Sequence, residues 1–104
     1  MGGVNLFELI SNDPARVNII TLKSKLAVVL VELIRERGWT QKEAAAFMQV
    51  SQPRISNLFK SKLDLFSIDT LIELIVKMGY KLDLTFTPEN SQRPLEMALI
   101  KAVV

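Results

Sequence analysis

The stretch "QVSQPRISNLFK", residues 49–60, sets Pro53 two positions after Ser51, inside an otherwise helical pattern. In a helix interior a proline removes a hydrogen bond and clashes with the preceding turn. In the first turn its missing amide costs nothing, because that amide has no intrahelical acceptor. Ser51 is an N-cap residue, so a helix is predicted to start at Gln52 and run to Phe59. Whatever precedes Ser51 must then be a separate element. "TQKE" (40–43) marks that element as a second short helix, 41–48. Thr40 and Glu43 form a capping box in which each side chain serves the other's backbone amide. The helix from Gln52 carries a thin apolar stripe, Ile55, Leu58 and Phe59. Its other side chains, Gln52, Arg54, Ser56, Asn57 and Lys60, are polar.

The flanking elements follow the same punctuation. Asp13-Pro14 starts a helix whose apolar positions 19, 22, 26, 29, 30, 33 and 34 keep the helical period as far as "RERG". Gly38 stops it, and Arg35 and Arg37 sit at the negative end of its dipole. Ser67 starts another helix, with Phe66 and Leu71 at the two positions of a hydrophobic staple, and Gly79 ends it. The period then changes. In "YKLDLTFT" (80–87) Tyr80, Leu82, Leu84 and Phe86 alternate with Lys81, Asp83, Thr85 and Thr87, as in a half-buried strand. The tail 88–104 contains "LEMALIKAVV", which is read as a short docked helix. Upstream, "NLFELI" is read as one or two helical turns capped by Asn5, after a disordered "MGG".

A length of 104 residues fits one domain with a modest core. Cysteine and histidine are both absent. This rules out disulfides, cysteine-based metal sites, a thiol nucleophile and a histidine acid/base, and points to a reducing cytoplasm. The carboxylates Asp64, Asp69, Glu73 and Asp83 lack metal-ligand spacing, so neither a metal nor another cofactor is expected, and an enzyme has almost nothing to stand on. "LAVVLVELI" (26–34) is about half a bilayer span, and no signal peptide is expected at the N-terminus. Net charge is only +2, yet residues 35–62 hold six basic side chains against two acidic ones, leaving that segment at +4. A basic segment of this kind suits phosphate, or is simply a solvated face.

Helices 41–48 and 52–59 joined by so short a turn describe a helix-turn-helix, residues 40–60. Small Ala44 and Ala45 permit a close crossing, Met48, Val50, Ile55 and Leu58 supply the shared core, and Trp39 packs beneath. The start of the second helix then points outward, where it can enter a major groove. The run from "TQKEAAAFMQVSQPRIS" to "FSIDTLIELIVKMGYKLDLTF" resembles the XRE-type (phage-repressor-like) helix-turn-helix family, in the subgroup that includes HigA-type antitoxins. The resemblance covers about residues 22–87. It departs from the family pattern in two places. Gln49 replaces the usual turn glycine, at a cost of about 1 kcal/mol, and "FKSK" replaces an acidic-Asn-Gly sequence. The resemblance implies a mainly α, five-helix-type domain with one C-terminal strand. It also implies roles: Gln41 anchors a backbone phosphate, Gln52 reads a base, and Ser51, Pro53, Ser56 and Asn57 line the same face. Arg54 and Lys60 are expected to clamp phosphates.

These readings predict a single-domain transcriptional regulator, an autorepressor of its own operon bound to double-stranded DNA at a palindromic operator. The alternative is an antitoxin that also neutralises a toxin protein through its apolar ends. A protein-only adaptor comes third. The strand 80–87 needs a partner for its backbone groups. A second copy would make a homodimer with Tyr80, Leu82, Leu84 and Phe86 at the interface and packed on the helices. "VNII" (17–20) or another protein's sheet edge would serve the same need.

Overall fold

The computed structural model describes residues 13–102, and the expectations for "MGG" and "NLFELI" lie outside them. The described chain forms α1 (Pro14–Glu36), α2 (Gln41–Met48), α3 (Gln52–Phe59), a single 3-10 turn (Leu63–Leu65) and α4 (Ile68–Lys77). Strands β1 (Tyr80–Phe86) and β2 (Leu95–Lys101) follow. The described residues thus hold four α-helices and two strands, where a five-helix count and one strand were expected.

Every helix begins where a side chain can accept from an otherwise orphaned amide. Asp13, Thr40, Ser51 and Ser67 accept from the backbone N–H of Arg16, Glu43, Arg54 and Thr70 respectively. The ends fall into two kinds. After α1 and α4 the chain turns through Gly38 and Gly79, at φ 68° and 90°. After α2 and α3 the left-handed residue is Gln49 or Ser61, both at φ 58°. In both cases the next two amides reach back in the Schellman pattern, Gln49 and Val50 to the carbonyls of Ala46 and Ala45, Ser61 and Lys62 to those of Leu58 and Asn57. Gln49 therefore takes the left-handed turn expected of it without glycine's freedom.

One core serves all four helices. Leu26, Ala27, Leu30, Leu33 and Ile34 of α1 meet Ala44, Ala45 and Met48 of α2 and Ile55 and Leu58 of α3. Phe66 and the α4 residues Leu71, Leu74, Ile75 and Met78 close it. Among the described residues no polar or charged side chain is buried. Arg37 reaches across this body: its guanidinium donates to the Met78 carbonyl at 2.9 Å, so a cation from the end of α1 serves the C-terminal end of α4. Trp39 lies half-buried at the rim, its ring centroid 4.5 Å from that of Phe47 and 5.1 Å from the Arg37 guanidinium.

The C-terminal expectations need correcting. "LEMALIK" is not a docked helix but β2, and it pairs antiparallel with β1, Tyr80 opposite Lys101 and Phe86 opposite Leu95. The strand finds its partner within the chain. "VNII" is part of α1, and no second copy is needed to satisfy this edge. A turn over Thr87–Asn90 and an Asn90 side chain accepting from the Arg93 amide shape the connecting loop. Bonds from the Thr87 amide to the Pro94 carbonyl, and from the Ala102 amide to the Gly79 carbonyl, set the phase of the ladder. Odd-numbered β1 residues bond to β2, and even-numbered ones present their backbone groups at the outer edge. Only Tyr80 and Leu82 pack against the helical core. Leu84 and Phe86, expected on the helices, are exposed, because the strand runs past the body that would cover them.

Candidate nucleic-acid interface

The turn Gln49–Val50–Ser51 holds α2 and α3 as one unit. Ala44 and Ala45 are buried where the helices meet, and Met48, Ile55 and Leu58 fill the space around them. Burying Ile55 and Leu58 turns the opposite side of α3 to solvent. Ser51, Gln52, Pro53 and Lys60 are exposed, with Ser56 and Asn57 half-buried beside them. Gln52, Ser56 and Lys60 follow one another at four-residue spacing, so they form a single row along the helix. Ser51 caps the helix and so fixes where that row starts.

Gln41 lies half-buried in the first turn of α2. The capping box there is complete: Glu43 accepts from the Thr40 amide at 3.0 Å, and Thr40 accepts from the Glu43 amide at 3.1 Å. The backbone and side chain of Thr40 together hold the Glu43 carboxyl below its ordinary range. Glu43 is thus ionised and committed to the cap. Among the described residues the Gln41 and Lys42 amides have no backbone acceptor, and an anion can approach them along the helix axis.

The basic side chains of residues 35–62 sort by type. Arg35 pairs with Glu32 at 3.1 Å and lies 5.9 Å from the Phe59 ring. Arg37 serves Met78. Arg54 sits 5.0 Å over the ring of buried Phe66, tying α3 to the residue before the α4 cap. Lys42, Lys60 and Lys62 are exposed and have no acidic partner among the described residues. Each of these arginines thus has a contact partner within the chain, whereas the three lysines have no acidic one among the described residues. Arg54 and Lys60, expected in the same role, stand in different surroundings. Lys42 went unnoticed as a candidate. Its place in the first turn of α2, next to Gln41, was the available signal.

Tyr80, Leu82, Leu84 and Phe86 all lie on one face of the hairpin, away from the α3 row in sequence and in element. A comparison with curated protein sequences finds no match. Over residues 10–86 of its 104, the sequence matches the family model described as a helix-turn-helix domain, and the chain belongs to that family.

Proposed function

We propose that the chain is a sequence-specific regulator of transcription that binds double-stranded DNA, acts in the cytoplasm and represses its own operon. The observation that carries this reading is the open row Gln52, Ser56 and Lys60 on a capped helix, held by the buried side chains of Ala44, Ala45, Met48, Ile55 and Leu58. In this reading exposed Gln52 pairs its amide with a base edge, adenine by hydrogen-bonding pattern, and Pro53 lies against a thymine methyl. The free amides at the start of α2, with Gln41, Lys42, Lys60 and Lys62, contact phosphates and supply most of the affinity. A homodimer on a palindromic operator sets two such helices about 34–36 Å apart, one turn of DNA. Among the described residues no helix is long and apolar enough to cross a membrane.

The test is binding of the purified chain to a duplex from its own promoter and to a random duplex, each across a range of salt. The reading expects a preference for the promoter and a steep loss of affinity with salt for both. Equal affinity for the two duplexes removes the sequence-specific part, and no binding to either removes the DNA reading. The antitoxin alternative draws support from the apolar hairpin, whose uncovered face has room for another chain. Co-purification of the product of an adjacent gene would favour it. Harmless expression of every neighbouring gene would sink it.

A further inference from the structure

The pleat of the hairpin divides its side chains into two unlike faces. Leu82, Leu84 and Phe86 lie opposite Leu99, Met97 and Leu95, so six large apolar side chains share one face. The other face carries Lys81, Asp83, Thr85 and Glu96, with Ala98 and Ile100 between them. A two-stranded sheet patterned in this way is built to be covered on one side only. The helices cover its base at Leu82 and stop there. Beyond it Leu84 is 60% exposed, Phe86 68%, Leu95 57% and Met97 49%, and Leu99, opposite Leu82, is 39% exposed. These are contiguous, whereas scattered single exposed apolar residues would be ordinary. The family match ends at residue 86, so β2, which supplies half of this face, lies outside it.

We propose that this apolar face, and not the strand edge, is where two copies of the chain associate, the two hairpins packing face to face as a four-stranded sandwich. An aromatic side chain such as Phe86 offers about 150–250 Å² and the aliphatic ones somewhat less, so at these exposures the five contribute on the order of 500 Å² per chain. Doubled across a two-fold axis, that is roughly 1,000 Å², the lower bound for a specific interface. Beyond Leu82 the strand residues of this face carry no charge, Lys101 opposite Tyr80 lying at its base, and such a surface is complementary to itself under a two-fold axis, as a symmetric contact requires. The choice of a second copy as occupant rests on the DNA reading, since a palindromic operator calls for two identical chains. Edge pairing is the weaker route. β1 already spends one edge on β2, and joining outer edges would leave Leu84, Phe86 and Met97 in water.

The experiment is sedimentation of the full chain as wild type, as Leu84→Lys with Met97→Lys, and as Thr85→Lys on the polar face. Leu84 and Met97 face each other across the ladder and are exposed, so their replacement leaves the helical body standing, which circular dichroism and thermal melting verify. The wild type is expected to dimerise, with Thr85→Lys unchanged. The double lysine variant should weaken the dimer by on the order of a hundredfold or more, because it buries unpaired like charges. A double variant that dimerises like wild type overturns the proposal in favour of the strand edge or another surface. A monomeric wild type overturns it in favour of another occupant, such as a toxin protein. Promoter binding measured alongside separates this from the DNA reading. A wild type that dimerises but binds no DNA keeps the interface and loses the regulator. A monomeric wild type that binds its promoter does the reverse.

Discussion

The helical body and the hairpin arm both carry regular apolar patterns, yet these meet opposite fates. In the body, leucines and isoleucines recur at helical spacing on four elements whose stripes converge, so Leu30, Ile34, Ile55 and Leu71 lose all contact with solvent. In the arm, an equally regular period of two makes an equally apolar face that nothing within the described chain covers beyond Leu82. Periodicity identifies a face that wants burial, but not the surface that buries it. Where several elements meet, the chain answers its own demand. Where one hairpin runs on alone, the demand is passed to another molecule.

The largest expected effect tests this contrast directly. Ile34→Ala should lower unfolding free energy by about 2–5 kcal/mol, read as a shift in urea midpoint. Leu84→Ala should change the monomer's unfolding free energy by no more than about 0.5 kcal/mol, as an exposed site does. Equal losses would mean the arm belongs to the monomer's core. The same contrast holds within α3, between its buried and open sides. Gln52→Ala should leave the melting temperature unchanged while costing about 1–3 kcal/mol on the cognate duplex and relaxing preference at one base pair. If binding to specific and random DNA falls alike, Gln52 reads no base.

A smaller effect separates the two kinds of cation. Lys60→Ala should lower the slope of log affinity against log salt by about one unit, with stability kept. Arg54→Ala should act chiefly on stability, by about 0.5–1 kcal/mol through the lost contact with Phe66. A full unit of slope lost in Arg54→Ala would show that it clamps a phosphate as well. Gln49→Gly should then stabilise the fold by about 1 kcal/mol, because glycine adopts the left-handed turn without strain. The smallest effect concerns the α2 cap. Glu43 is held below its ordinary range in the folded chain, so its contribution is present above the unfolded value and fades as pH falls through the folded one. Glu43→Gln should flatten the acid limb of the stability profile, and an unaltered limb would remove Glu43 from it.

How legible each part was depends on the range of the interactions that decide it. The bounds of α1 to α4 could be read from Asp13, Thr40, Ser51, Ser67, Gly38 and Gly79, because capping and turning are settled within four residues. The strand "LEMALIK" could not. Glu96, Met97, Ala98 and Leu99 favour a helix locally, and only the ladder to residues 80–86, across an intervening loop, overrules them. Tyr80 and Leu82 were placed on the helices correctly and Leu84 and Phe86 were not, since no local pattern tells where a neighbouring helix ends. The open row on α3 was visible as excess polarity. The seat of Arg54 on Phe66 was not, because it joins residues twelve positions apart across a turn.

Trp39 gives the corner between α1 and α2 its own optical signal. It is the chain's single tryptophan, so all indole fluorescence comes from one half-shielded ring that sits against Phe47 and Arg37, two residues before Gln41. Emission wavelength and quenching by iodide therefore report the surroundings of that corner alone, without a label. A titration with duplex that changes this emission while far-ultraviolet ellipticity stays fixed would place the ligand beside the first turn of α2. A red shift on heating that precedes the loss of ellipticity would show this corner opening before the body melts.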